Sequence, residues 1–169
     1  MQLRTLTPED ASVFQELRLQ SLREAPTAFA SSYEEECDTP LATVASRLGD
    51  DANGAVFGAF NESTLVGITG VRREEHNKLA HKAFIWDVYV APTFRGLGVG
   101  RELVSQALDY AFSTLGVRQG TLGVNKSNLS AIALYETLGF KTFGVEEDFL
   151  LVDGVLHDEV HMVCLREES

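Results

Sequence analysis

The chain has 169 residues, 44% of them hydrophobic and 23% charged, with a formal net charge of −11 at pH 7. That length fits one core-forming domain, residues 1–169. The negative balance argues against nonspecific binding to nucleic acid or to an anionic membrane, both of which rest on a positive field. Only Cys37 and Cys164 are present, at no metal-ligand spacing, so no disulfide framework and no metal site are expected and a reducing, cytoplasmic setting fits. No apolar run nears the roughly 18 residues of a membrane span, and MQLRTLTPED lacks the apolar core of a signal peptide.

In chain order, LRTL (3–6) reads as a short first strand. Thr7 as N-cap, Pro8 in the first turn and Asp10 three positions after the cap open a helix expected to run to about Arg23. Residues 24–38, EAPTAFASSYEEECD, read as loop or broken helix. Thr39 and Pro40 start a second helix whose stripe is Leu41, Val44, Ala45 and Leu48, ended by Gly49. Three strand-like runs follow, AVFGAF, TLVGITGVRR and HKAFIWDVYV, in the pattern of an antiparallel meander. After the glycine-rich PTFRGLGVGREL, a helical stripe of Leu103, Val104, Ala107, Leu108, Ala111 and Phe112 runs to about Leu115. A strand (QGTLGV), a helix (NLSAIALYETLG) and a strand (FKTFGVEE) come next, and FLLVDGVLHDEVHMVCL reads as a hairpin turning at Asp153-Gly154. The expected fold is α/β, a central mixed and mostly antiparallel sheet of about seven strands flanked by about four helices.

Gly96, Gly98 and Gly100 therefore sit where a strand hands over to a helix. A helix N-terminus carries unpaired N–H groups and partial positive charge, and glycines let several amides face one anion, so the loop reads as a pyrophosphate cradle with Arg95 beside it. Two familiar phosphate loops are excluded. A Walker loop needs GK followed by Ser or Thr where this chain has Gly100, Arg101 and Glu102, and the dinucleotide fingerprint needs GxGxxG where this chain has GxGxG.

FRGLGVG resembles the RxxGxG acyl-CoA loop of the GNAT superfamily of N-acyltransferases, and NLSAIALYETLGF resembles that family's second signature through Asn128, Ala131, Leu134, Tyr135, Gly139 and Phe140. Asn128 lies 33 residues after Arg95, and the order of elements extends the resemblance to essentially the whole chain. The resemblance implies an acyltransferase that moves an acetyl group from acetyl-CoA to a primary amine by direct attack in a ternary complex, without a metal. It implies a pyrophosphate on the amides of Arg95, Gly96, Leu97, Gly98, Val99, Gly100 and Arg101, and a pantetheine arm along the backbone of Val88, Tyr89 and Val90 where two parallel strands splay apart, with Asn128 at its side. Homodimerisation through the sheet edge or the C-terminal hairpin is carried over on the same terms.

Chemistry then needs a neutral amine, a donor to the developing oxyanion and a proton for the departing thiolate. Tyr135 is the expected proton donor, since a phenol with pKa ~10 stays protonated at neutral pH, and a backbone amide near Val88 is the expected oxyanion donor. Asp87 is the expected base; strand alternation leaves open which face it takes, and Glu34, Glu35 and Glu36 are alternatives. Plainer roles compete at each position: Tyr135 as a core tyrosine on the Ala131–Leu134–Leu138 stripe, Asn128 as a helix cap, Asp87 as half of a surface ion pair. HDEVH has two histidines four apart, but on a strand they stand about 13 Å apart and cannot share an ion. The acceptor expected from the acidic balance is a small cationic amine, with a peptide or protein amine as the other candidate. A non-catalytic acyl-CoA sensor is the alternative from a different class.

Overall fold

The structure, a computed structural model, describes residues 1–168. Its sheet comprises β1 (Gln2–Thr5), β2 (Gly54–Asn61), β3 (Thr64–Arg73), β4 (Lys82–Val90), β5 (Gln119–Asn125), β6 (Lys141–Val152) and β7 (Val155–Leu165), ordered β1-β2-β3-β4-β5-β7-β6. Neighbours are antiparallel throughout except β4 and β5, which run parallel. Five helices accompany it: α1 (Ala11–Glu24), α2 (Tyr33–Glu36), α3 (Leu41–Arg47), α4 (Val99–Ser113) and α5 (Leu129–Thr137).

Local chemistry accounts for most of these boundaries. At the entrance to α1 the Asp10 carboxylate accepts the Thr7 backbone N–H at 2.8 Å and pairs with Arg4 at 2.7 Å, which holds a 3-10 turn, Pro8–Asp10, ahead of the helix proper. The segment left as loop or broken helix is the latter: a 3-10 turn, Pro26–Ala28, then the single-turn α2, opened by a reciprocal Ser32–Glu35 capping box. One strand boundary differs from expectation. FKTFGVEE and FLLV are a single strand, β6, because both pair with β7; the register slips between Glu146 and Leu150 to absorb the residues between them. Asp153 and Gly154 turn the hairpin with φ of 49° and 77°, the left-handed pair that a tight two-residue hairpin requires.

Two apolar cores flank the sheet. Phe14, Leu17, Leu22 and Val44 of α1 and α3 pack with Val56, Ile68 and Tyr89 on one face. Leu103, Val104, Ala107 and Ala111 of α4, with Tyr135 and Phe140, pack against Val66, Val71, Ile85, Leu122 and Met162 on the other. The sheet does not stay closed between them. β4 and β5 pair only over Lys82–Phe84 and Gln119–Thr121, and beyond Phe84 and Thr121 the two strands part.

Candidate active site

The site begins with a fault in β4. On β3, Ile68 pairs with Tyr89 and Gly70 with Trp86, so the single Thr69 stands opposite two residues, Asp87 and Val88. Asp87 takes φ of +53°, a left-handed conformation that aspartate tolerates better than most residues. The extra residue shifts the alternation of the strand. Ala83 and Ile85 face the α4 core before it, and Val88 and Val90 face the same core after it, while Trp86 and Tyr89 pack on the α1 side. Thr69, fully buried, spends its hydroxyl on the Trp86 carbonyl at 3.2 Å and so ties β3 to the fault.

Where β4 and β5 part, a cleft of about 280 Å³ opens. Ile85, Trp86, Asp87 and Val88 line it from β4, Leu122 to Asn125 from β5, Ala25, Thr27 and Ala28 from the end of α1 and the turn beyond it, and Asn128 and Tyr135 from α5. Asp87 and Tyr135, 48 positions apart in the chain, thus share one cavity.

Their environments push both groups toward their neutral forms. Burial raises the Asp87 carboxyl to about 6; the Arg18 guanidinium pulls against that rise and the Glu36 carboxylate adds to it. Arg18 Nη1 lies 2.8 Å from Asp87 Oδ1, an ion pair between α1 and β4. The directed bonds of Arg18 go to Glu36, at 3.0 and 3.2 Å. Burial alone moves the Tyr135 phenol up to about 12. Its ring packs edge-on against Phe140, with centroids 5.9 Å apart.

The glycine loop enters α4 as expected. Gly96 and Gly98 have φ of 75° and 84°, Gly98 is the N-cap, and no side chain caps this end, so the first amides of the helix have no protein acceptor. Gly100 is different: its φ is ordinary and an added Cβ would meet only Leu134 and Val90, at 3.6 and 3.7 Å, so neither backbone nor packing requires glycine there. The side chains of the loop turn elsewhere. Arg95 forms a two-pronged ion pair with Glu24 at 2.7 and 3.0 Å and donates to the Val90 carbonyl, because a carboxylate at the end of α1 lies within its reach; the guanidinium expected beside the cradle is spent on α1. Arg101 donates to Thr137 at 2.6 Å, Leu97 is exposed and Val99 is buried in the core. Tyr89 is buried on the α1 side, away from the cleft. Asn128 combines the two roles weighed for it, capping α5 through the Ala131 N–H at 3.2 Å while lining the cleft.

The acidic run 34–36 is taken apart by the fold. Glu36 is bound to Arg18, Glu35 closes its own capping box and Glu34 is exposed. Sequence reasoning missed Arg18, although a signal was present: it sits four residues after Phe14 and four before Leu22, a charge inside the apolar stripe of α1. It also missed that Glu146 of β6 meets Glu159 and His161 of β7, whose donor atoms lie within 4.8 Å of one another; among the described residues this trio is an exposed to half-buried ion-pair cluster, with His161 3.1 Å from Glu146. His157 is not part of it.

A cleft between two splayed parallel strands, a helix opened by glycine without a side-chain cap, and Asp87 and Tyr135 lining one cavity are the features the sequence led one to expect together. The chain belongs to the acetyltransferase (GNAT) family, whose model matches residues 17–140. It is 34% identical over 90 residues to a spermidine N(1)-acetyltransferase of Vibrio cholerae, a match covering 52% of this chain and 51% of the relative. It is 33% identical over 102 residues to the N-alpha-acetyltransferase RimI of Mycobacterium tuberculosis, covering 57% of this chain and 58% of the relative, so the matches span little more than half of these relatives. A GNAT-family acetyltransferase structure from Streptococcus pneumoniae superposes with a TM-score of 0.86 at 20% identity over 98% of this chain and 99% of that one, a likeness of fold.

Proposed function

We propose that the protein is an N-acetyltransferase that moves the acetyl group of acetyl-CoA to a primary amine by direct attack in a ternary complex. The observation that carries the reading is the shared cavity: Asp87 of β4 and Tyr135 of α5 line one cleft, at the place where β4 and β5 stop pairing. The donor's phosphates would lie on the N-terminal amides of α4, and the absence of any internal reason for glycine at 100 supports a ligand approaching that backbone. The freed backbone of Val88 and the Val90 amide, whose carbonyl is already taken by Arg95, would pair with the pantetheine arm, and the Val88 amide would meet the thioester oxygen.

Asp87 takes a proton from the acceptor's ammonium, leaving a neutral amine to attack, and a carboxyl poised near 6 is ionised at neutral pH yet still basic enough to serve. Tyr135 serves the leaving sulfur. A phenol at about 12 does not ionise at physiological pH, and transfer to a free thiolate of pKa ~8.5 is uphill, so it acts as a hydrogen-bond donor that stabilises the thiolate as the C–S bond breaks.

The surplus charge at the acceptor end is one, since Asp87 and Glu36 share Arg18. That favours an acceptor presenting a single ammonium beside Asp87, either a small amine or the N-terminus of a peptide or protein. Both kinds occur among the relatives, one named for spermidine and one for N-alpha-acetylation. We also read the protein as a cytoplasmic homodimer; Phe143, Val145, Leu151, Val155 and Leu156 leave an apolar surface on the β6–β7 hairpin that a second copy would cover. Thiol release from acetyl-CoA against a panel of amines tests the function, with thermal shift by CoA beside it. Amine-dependent release is expected. CoA stabilisation without release for any amine would favour the sensor reading, and no stabilisation would overturn the donor site.

A further inference from the structure

Arg18 does work that the fold alone does not ask of it. It projects from the apolar stripe of α1, is 7% exposed, and lies between two carboxylates from different segments, Glu36 of α2 and Asp87 of β4. Burying an arginine between two carboxylates costs desolvation that its ion pairs only partly return, and well-packed apolar residues commonly serve stability as well. Its surroundings nonetheless fix it with care. Glu36 takes Nε and Nη2 at 3.0 and 3.2 Å, Gln15 donates to the Glu36 carbonyl at 3.1 Å, and the Phe29 ring lies 4.9 Å from the guanidinium carbon. With its far side held, the group presents Nη1 to Asp87 at 2.8 Å, and Asp87 itself lines the cleft.

We propose that Arg18 is a positioning residue for acceptor activation: held by Glu36, it keeps the Asp87 carboxylate at the cleft and sets the pH at which that carboxylate can take a proton from the amine. The inference rests on the reading of Asp87 as the base. The charged groups that face Asp87 are Arg18 from α1 and Glu36 from α2, and Tyr135 of α5 lines the same cleft. Their signs are opposed. Arg18 favours the ionised carboxylate and Glu36 disfavours it, so the two residues tune one proton site in opposite directions.

The test reads that site directly, by following the Asp87 side-chain ¹³C signal with pH in uniformly labelled protein, the signal assigned by its loss in Asp87→Asn. The wild type is expected to titrate at about 6. Arg18→Met should move the midpoint up by about one pH unit, Arg18→Lys should leave it near the wild type because the charge is kept, and Glu36→Gln should move it down. A purely structural role for Arg18 does not produce shifts of opposite sign. Should Arg18→Met fail to fold, Glu36→Gln decides, since it leaves Arg18 in place. A midpoint unmoved by Glu36→Gln, or moved upward, overturns the proposal. The base reading fails separately: Asp87→Asn that keeps wild-type turnover and an unchanged acid limb in kcat/KM removes Asp87 from the reaction, whatever the titrations show.

Discussion

At the scale of single residues, Asp87 carries the most consequence, because one inserted position gives it both its direction and its proton affinity. A carboxyl raised to about 6 must be ionised to accept a proton, so kcat/KM is expected to rise as pH climbs through about 6. No falling limb from Tyr135 is expected below pH 10, since its phenol sits near 12. A pH–rate profile checks both, and an acid limb near 4 would place Asp87 outside the rate-limiting proton transfer. Asp87→Asn should lower turnover by roughly 10² to 10⁴ while leaving CoA affinity in place. Linkage adds a second sign. A carboxyl whose folded pKa lies above its unfolded value favours the fold below about 4, and that contribution is lost as pH rises through about 6, so Asp87 makes the protein less stable at pH 7 than at pH 5. Asp10 works the other way: its hydrogen bond from Arg4 lowers it, and the stability it brings is lost as pH falls through its folded pKa. Tyr135 was legible because its motif neighbours fix its place on α5. The face taken by Asp87 was not, because alternation fails at a bulge and nothing local in HKAFIWDVYV marks where the extra residue falls.

The elements that matter most to the site are β4 and α4, and each offers a test apart from the chemistry. Thr69→Val keeps shape but removes the hydroxyl that holds the Trp86 carbonyl. A loss of about 1 to 2 kcal/mol in urea unfolding is expected, with lower turnover as the bulge loosens; unchanged stability would mean the bulge does not need that bond. In Gly100→Val the added Cβ meets Leu134 and Val90 only at ordinary contact distance, 3.6 and 3.7 Å. The fold should hold, while CoA affinity falls at least tenfold, about 1.4 kcal/mol, by calorimetry, because the side chain stands over the helix amides. Unaltered CoA binding would remove the α4 amides from the donor site. Capping signals and the 3.6-residue stripe made α4 and α5 readable from sequence. The fusion of FKTFGVEE with FLLV into β6 was not readable, since Glu146, Glu147 and Asp148 at their join look like a turn until β7 is there to pair with both sides.

For the molecule as a whole, one sheet carries two cores and lets its middle pair of strands part between them. On the proposed reading the α1 face would supply the acceptor end through Arg18, Glu36 and the turn at Pro26–Ala28, and the α4 face the donor end. Arg95 of the glycine loop and Glu24 of α1 join the two ends by an ion pair. The order of elements was legible because each has its own pattern. The cleft was expected only through the family resemblance, since how far two strands distant in sequence stay in register is not written in either strand. At this scale the dimer is also tested: sedimentation should give twice the chain mass, and Phe143→Asp on the exposed hairpin face should yield monomers without unfolding. A wild-type monomer at micromolar concentration would contradict the dimer.

The most direct measurement is the rate of thiol release from acetyl-CoA with and without amines, run side by side on the wild type and on Tyr135→Phe. Amine-dependent release by the wild type, reduced roughly 10² to 10³ in Tyr135→Phe with CoA affinity retained, is the expected result. Release that is independent of any amine, or equal in the two proteins, would contradict a cleft that transfers acetyl groups with Tyr135 at the leaving sulfur.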